Sequence, residues 1–201
     1  MSNLILRDTE SSSYSRLAPD TYPGICTGII DLGMQYSKAF DKEQHQVMLC
    51  FELPTEQIEY NGKVENRHVY ETYTFSFNEK SNLRKMLQSW RGKPFSEEEL
   101  KGFDLEKVLG LPCIITIIDS TSASGKTFSK VASIAKPMKG FQVPKGNDEP
   151  FIFELTNGDK AIAEIQSLQS WIQDRIKSSS TYKQLVGIES DEEATSEDLP
   201  F

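Results

Sequence analysis

The change of hydrophobic period along the chain constrains its fold most. Alternating or extended apolar segments run from Tyr22 to Phe77, helical spacing takes over from Ser81 to Leu109, and extended segments return from Pro112 to Ala135. Gly24 to Leu32 is rich in Ile and Thr and stops at Gly33, which reads as a first strand. Gln46 to Leu53 alternates, with Val47, Leu49, Phe51 and Leu53 on one face, and Pro54 ends it. After an Asn61-Gly62 turn, His68 to Phe77 places Val69, Tyr73, Phe75 and Phe77 on one parity and a hydroxyl-rich set, Tyr70, Thr72, Thr74 and Ser76, on the other.

The helical insert has its own signals. Ser81 is placed to cap a short helix carrying Leu83, Met86, Leu87 and Trp90, closed by Gly92 and Pro94. Ser96 and Glu99 have capping-box spacing for a second short helix, and Asp104 to Leu109 reads as one further turn. Pro112 to Asp119, with four Ile, is a buried fourth strand; the small, polar Ser120 to Gly125 leads into a fifth strand, Thr127 to Ala135. Three strands, a helix and two strands match the five-stranded OB-fold barrel, which we expect in preference to a ferredoxin-like or sandwich arrangement. The expected fold class is therefore mainly β with accessory helices.

Four regions follow: an N-terminal arm (1–20), the barrel (21–140), a linker with an amphipathic helix (141–186) and an acidic tail (187–201). In the third region Ile162, Ile165, Leu168, Ile172 and Ile176 recur at spacings of three and four, predicting one helix capped by Asn157 or Asp159 and loosened at 178–181. The tail contains Glu189, Asp191, Glu192, Glu193, Glu197 and Asp198 with no Lys or Arg, and is expected to be disordered. It holds six of the eight net negative charges of the 201-residue chain, so the low isoelectric point does not describe the body. No segment has the length and apolarity of a membrane span, and Arg7, Asp8 and Glu10 interrupt any signal-peptide pattern; a soluble, cytoplasmic protein is expected. Cys26, Cys50 and Cys113 are far apart in apolar runs and read as reduced core thiols, with no metal site and no cofactor expected.

Catalytic constellations are not apparent. Gly125-Lys126-Thr127 lacks the earlier glycine of a phosphate loop, since position 120 is Ser, and joins two strands instead of a strand and a helix. The two His and the clustered acids form no nucleophile or metal motif, so no enzyme activity and no catalytic residue are expected. Basic residues interleaved with aromatics carry more information. Lys80 to Lys93 holds Lys80, Arg84, Lys85, Arg91 and Lys93 with Trp90 and no acid, while Pro112 to Lys145 holds five Lys against Asp119. The loop Gly33 to His45 adds Tyr36, Lys38, Phe40 and Lys42.

Single-strand binders use such pairs, because rings stack on bases while cations meet phosphates. On an OB-fold the loops 1–2 and 4–5 and the face of strands 2 and 3 bind, so Tyr36, Phe40, Tyr70, Lys126, Phe128 and Lys130 are expected to converge. Trp90 and Phe128 also fit core positions, and Arg84 and Lys85 also fit a solvated face.

The sequence Asp198-Leu199-Pro200-Phe201 after the acidic run resembles the acidic tip of bacterial single-stranded DNA-binding proteins. Its stiff, apolar, ring-bearing end suits a partner's apolar pocket rimmed by cations. The body is similar to phage-encoded single-stranded DNA-binding proteins from phages of Gram-positive bacteria. Over roughly residues 20–140, the matching segments are Tyr22-Pro23-Gly24, Lys80 to Leu87, Trp90 to Phe95, Leu109 to Cys113 and Ser124 to Val131. The resemblance implies an OB-fold, sequence-independent binding of single-stranded DNA, a role in phage replication or recombination and residence in the host cytoplasm. It also implies recruitment of replication or recombination proteins by the tail. The helical region 158–186 departs from the bacterial proteins, so their tetramer is not carried over, and a homo-oligomer of another kind stays open. The rival expectations are a replication-initiation or recombination accessory protein whose OB-fold serves protein interaction, and a nuclease, which would need clustered metal-binding carboxylates.

Overall fold

A computed structural model describes residues 16–60 and 62–188. The first three strands, β1 (Asp20–Ser37), β2 (Lys42–Tyr60) and β3 (Lys63–Thr74), form an antiparallel meander. Strands β4 (Pro112–Thr121) and β5 (Thr127–Ala135) form a hairpin. The sheet order is β3-β2-β1-β4-β5, with a short β6 (Phe151–Phe153) added parallel to β1. Strand β1 pairs β4 through Asp20–Ile25 and β2 from Ile25 onward. Register shifts between Cys26 and Gly28 and between Asp31 and Gly33 bend it, because a bulged strand turns and twists more strongly. The result is a strongly curled antiparallel half-barrel with a few helices.

Expected and observed strands agree in number and order up to Ala135, and differ at their ends. Residues 33–37 and 42–45, expected as loop, are paired strand, so the β1–β2 connection shrinks to four residues, 38–41. Strand β3 stops at Thr74, and Phe75 is exposed rather than part of the core.

The concave side is filled by Cys26, Val47, Leu49, Phe51, Ile115 and Ile134 and closed by α1 (Asn82–Arg91) through Leu83, Met86, Leu87 and Trp90. The second helix, α2 (Glu97–Lys101), starts at a complete Ser96–Glu99 capping box, as its sequence predicts.

A second apolar layer covers the convex face. Ile30, Leu32, Met48 and Cys50 meet Phe153, Leu155, Ala161, Ile165, Ile172 and Ile176. Burial on both faces explains why Gly24 to Leu32 lacks clean alternation. This layer corrects the single-helix expectation for residues 158–186: there are three short helices, α3 (Asp159–Ile165), α4 (Ser170–Lys177) and α5 (Ser180–Leu185). The cap of α3 is Gly158, and the Ser179 hydroxyl caps α5 by accepting from the Tyr182 N–H. One continuous helix over that stretch would be a rod of about 40 Å, which cannot follow a curled sheet with one apolar stripe. The breaks let Ile165, Ile172 and Ile176 all reach the convex face. The acidic tail and most of the N-terminal arm lie outside the described residues. Among the described residues, no helix is long and apolar enough to cross a membrane.

The three thiols are buried, and burial pushes all of them up, Cys26 to about 12. One buried carboxylate anchors the segment after β5. Glu52, fully buried on β2, accepts from Asn66 Nδ2 at 2.6 Å and from the backbone N–H groups of Asn147 and Asp148 at 2.7 and 3.1 Å. Burial pushes its carboxyl up, but the donors from Asn147, Asn66 and Asp148 and the nearby His68 outweigh that, and the net direction is down. A lowered folded-state value means that the stabilisation is complete above the ordinary carboxyl value and fades as pH falls through the lowered one. Glu52→Ala, which strands several buried donors, should cost about 2–4 kcal/mol at pH 7. The difference from the unsubstituted protein should narrow in acid, as read by urea denaturation at pH 7 and pH 3. An equal cost at both values would show that lost packing, not the charge, is responsible.

Candidate nucleic-acid interface

The curl brings β3 and β5, the two ends of the strand order, to the walls of one groove of about 500 Å³. Arg67, His68, Tyr70 and Glu71 come from β3, and Lys126, Phe128 and Lys130 from β5 and the turn before it. Arg16 lines the groove from the segment before β1. Its floor is apolar, with Leu17, Val69, Ile117 and Val131.

The hairpin turn explains the position of Lys126. Gly125 sits at φ +80°, and Ser122 receives the backbone N–H groups of Gly125 and Lys126, so the chain reverses tightly and Lys126 stands at the rim. Gly125-Lys126-Thr127 thus joins two strands, as read from its spacing. Strand alternation then puts Phe128 and Lys130 on the same side, both exposed, while Ser129 turns to the Leu17 carbonyl.

Four cations and one acid, Glu71, line this groove; Lys126 and Lys130 are exposed, whereas Arg67 is buried. Arg16 is paired with Asp119, whereas Glu71 feels burial, which raises its carboxyl, and the opposing charge of Lys130. The rings of His68 and Tyr70 lie with centroids 6.3 Å apart and planes tilted by 32°. Flat rings beside cations over an apolar floor are what an unpaired base and its phosphate require.

A different cavity, of about 390 Å³, has the opposite sign. It is bounded by Asp31, Asp104, Glu106 and Glu154 among Ile29, Phe75 and Phe103, with His45 Nε2 2.6 Å from Asp31 Oδ1. Its carboxylates would repel a phosphate backbone.

Of the expected contact residues, Tyr70, Lys126, Phe128 and Lys130 share the groove. Tyr36, Lys38 and Phe40 do not line it. They lie at the far end of β1, exposed at the short turn, where the Tyr36 hydroxyl donates to Asp41. The residues on α1 and just after it are also elsewhere. Lys85 and Lys93 are exposed but outside the groove lining, and Arg84 Nη1 donates to the Phe77 carbonyl at 3.3 Å.

Two assignments need correction. Trp90 is a core residue: it is 5% exposed, packs edge-to-face on Phe51 with centroids 5.7 Å apart, and donates its indole N–H to the Pro112 carbonyl at 2.8 Å. Arg91 is occupied by Glu99 and lies over the Phe95 ring, 4.1 Å from its centroid. Both follow from α1 pressing one face onto the barrel. Asp198, Leu199, Pro200 and Phe201 lie outside the described residues.

Sequence reading missed Arg16, Arg67 and His68 as groove residues. His68 opens the strand expected at 68–77 and Arg67 directly precedes it, both within three residues of Tyr70, which was a usable signal; Arg16 had none, being placed only by tertiary structure. The chain matches no protein-family model and no curated protein.

Proposed function

We propose that this chain is a sequence-independent single-stranded DNA-binding protein that coats exposed strands during replication or recombination, as in the phage proteins it resembles. The carrying observation is the β3–β5 groove, where the exposed Lys126 and Lys130 and the rings of His68, Tyr70 and Phe128 line one apolar-floored channel. The strand order, with a helix between the third and fourth strands, supports reading the half-barrel as an OB-fold. On that reading the groove lies where strand 3 and the loop between strands 4 and 5 contribute to the ligand surface. The acidic segment ending in Leu199-Pro200-Phe201 would recruit replication or recombination proteins. No covalent chemistry is assigned.

A salt-dependent titration of labelled polythymidine and of a duplex of equal length tests the proposal. Single strands should bind far more tightly, because stacking needs unpaired bases. Log affinity should fall with log salt with a slope of at least about −1.4, from about −0.7 for each phosphate met by the exposed Lys126 and Lys130. Equal affinity for duplex, or no salt slope, would reject the proposal; protein capture without any binding of polythymidine would favour the accessory role instead.

A further inference from the structure

We infer that Trp171, on the C-terminal helical layer, is a second stacking platform that carries the single strand out of the β3–β5 groove and across α4. The inference rests on the single-strand reading above and adds a contact outside the groove lining. The chain has two Trp, and they are buried to very different extents: Trp90 is 5% exposed and Trp171 43% exposed. Trp171 does not stand alone on the surface. Its ring meets Tyr70 edge-to-face with centroids 5.1 Å apart, and Tyr70 in turn neighbours His68, so three rings form a row leading out of the groove.

Polar contacts hold the row in place. The Trp171 indole N–H donates to Gln169 Oε1 at 2.6 Å, and Gln169 Nε2 donates to the Tyr70 hydroxyl at 2.9 Å. A ring oriented in advance loses less freedom when a base stacks on it. The core side of α4 is filled by Ile172 and Ile176, its two buried residues, so docking of the helix rests mainly on them.

The course of α4 gives the platform a purpose. Its first turn lies at Tyr70, opposite Cys50 in the sheet register, whereas Arg175 one turn later donates to Gln46, opposite Thr74. The Gln35 side chain donates to the Arg175 carbonyl at 2.8 Å, so the end of α4 is fastened to the part of β1 that leads to Tyr36, Lys38 and Phe40. The helix therefore spans the interval between the groove and the β1–β2 turn, two groups of candidate contacts that the strands alone leave apart.

The test uses the full chain, polythymidine, anisotropy for affinity and intrinsic fluorescence for stacking. Trp171→Ala should weaken binding about 5- to 150-fold, the range for one base–ring stack, with an unchanged melting temperature. The unsubstituted protein should show saturable fluorescence quenching by polythymidine, and Trp171→Phe should keep most of the affinity while losing that quenching, because the remaining Trp90 is buried. Unchanged affinity in Trp171→Ala, or undiminished quenching in Trp171→Phe, would overturn the inference and leave the groove reading intact. Failure of the unsubstituted protein to bind polythymidine would overturn both.

Discussion

Trp90→Ala should destabilise the protein by about 3–5 kcal/mol, the usual range for emptying a buried aromatic site. The ring plugs the concave side of the half-barrel against Phe51, and its loss would also strip the Pro112 carbonyl of its N–H donor. Trp90→Phe should cost less, because it retains most of the ring contact but not the hydrogen bond. Denaturant unfolding of the three proteins measures this directly. Affinity for polythymidine, measured where each variant is folded, should change little. A stable Trp90→Ala protein with strongly weakened binding would return Trp90 to the ligand surface.

The complementary result is expected from the groove. A protein carrying Lys126→Glu, Phe128→Ala and Lys130→Glu should lose more than about 100-fold in polythymidine affinity near 0.1 M salt. The Phe128 ring accounts for about 1–3 kcal/mol, and loss of two cations should flatten the salt slope by about 1.4 before the repulsion of the new acids is added. Stability should stay close to that of the unsubstituted protein, because all three side chains are exposed and none closes the core. Salt titrations and thermal melts on the same preparations separate the effects. A flat affinity response would move the binding surface elsewhere, first to Lys85 on α1 and Lys93 just after it.

The strand order was legible because each strand carries a local pattern that survives packing. Alternation in Gln46 to Leu53 and the Ile-rich run at 114–118 reflect burial that any partner layer would impose. Helix α1 was equally legible: four apolar residues at helical spacing end at Gly92, whose φ of +69° suits a residue without a side chain. Strand β6 was not, since three residues are too few to show a period, and Phe151–Phe153 is extended because β1 offers it hydrogen-bonding groups.

Candidate binding residues divided on a different principle. Composition marks Lys126, Phe128 and Lys130 as a basic-aromatic group, and a hairpin with its glycine turn is enough to set them at a rim. Trp90 and Arg91 belong to an equally basic stretch, yet α1 spends them on the core and on Glu99. Local pattern can say that a helix has an apolar stripe, but not which neighbouring cations the packed stripe will draw in.

Sequence by itself determined the succession of the first five strands with α1 and α2 between the third and fourth, the capping box that starts α2 and the uneven placement of charge, because these depend on residues within a few positions of one another. Only the tertiary structure decided that β3 and β5 flank one groove, that Arg16 reaches it from outside the barrel strands, and that Trp171 stands against Tyr70 a hundred residues away. Those juxtapositions arise from the bulges that curl β1 and from burial of the convex face of β1 and β2 under the C-terminal helices. Each is a long-range consequence of covering apolar surface, and such coverage leaves no periodic trace in the segments it brings together.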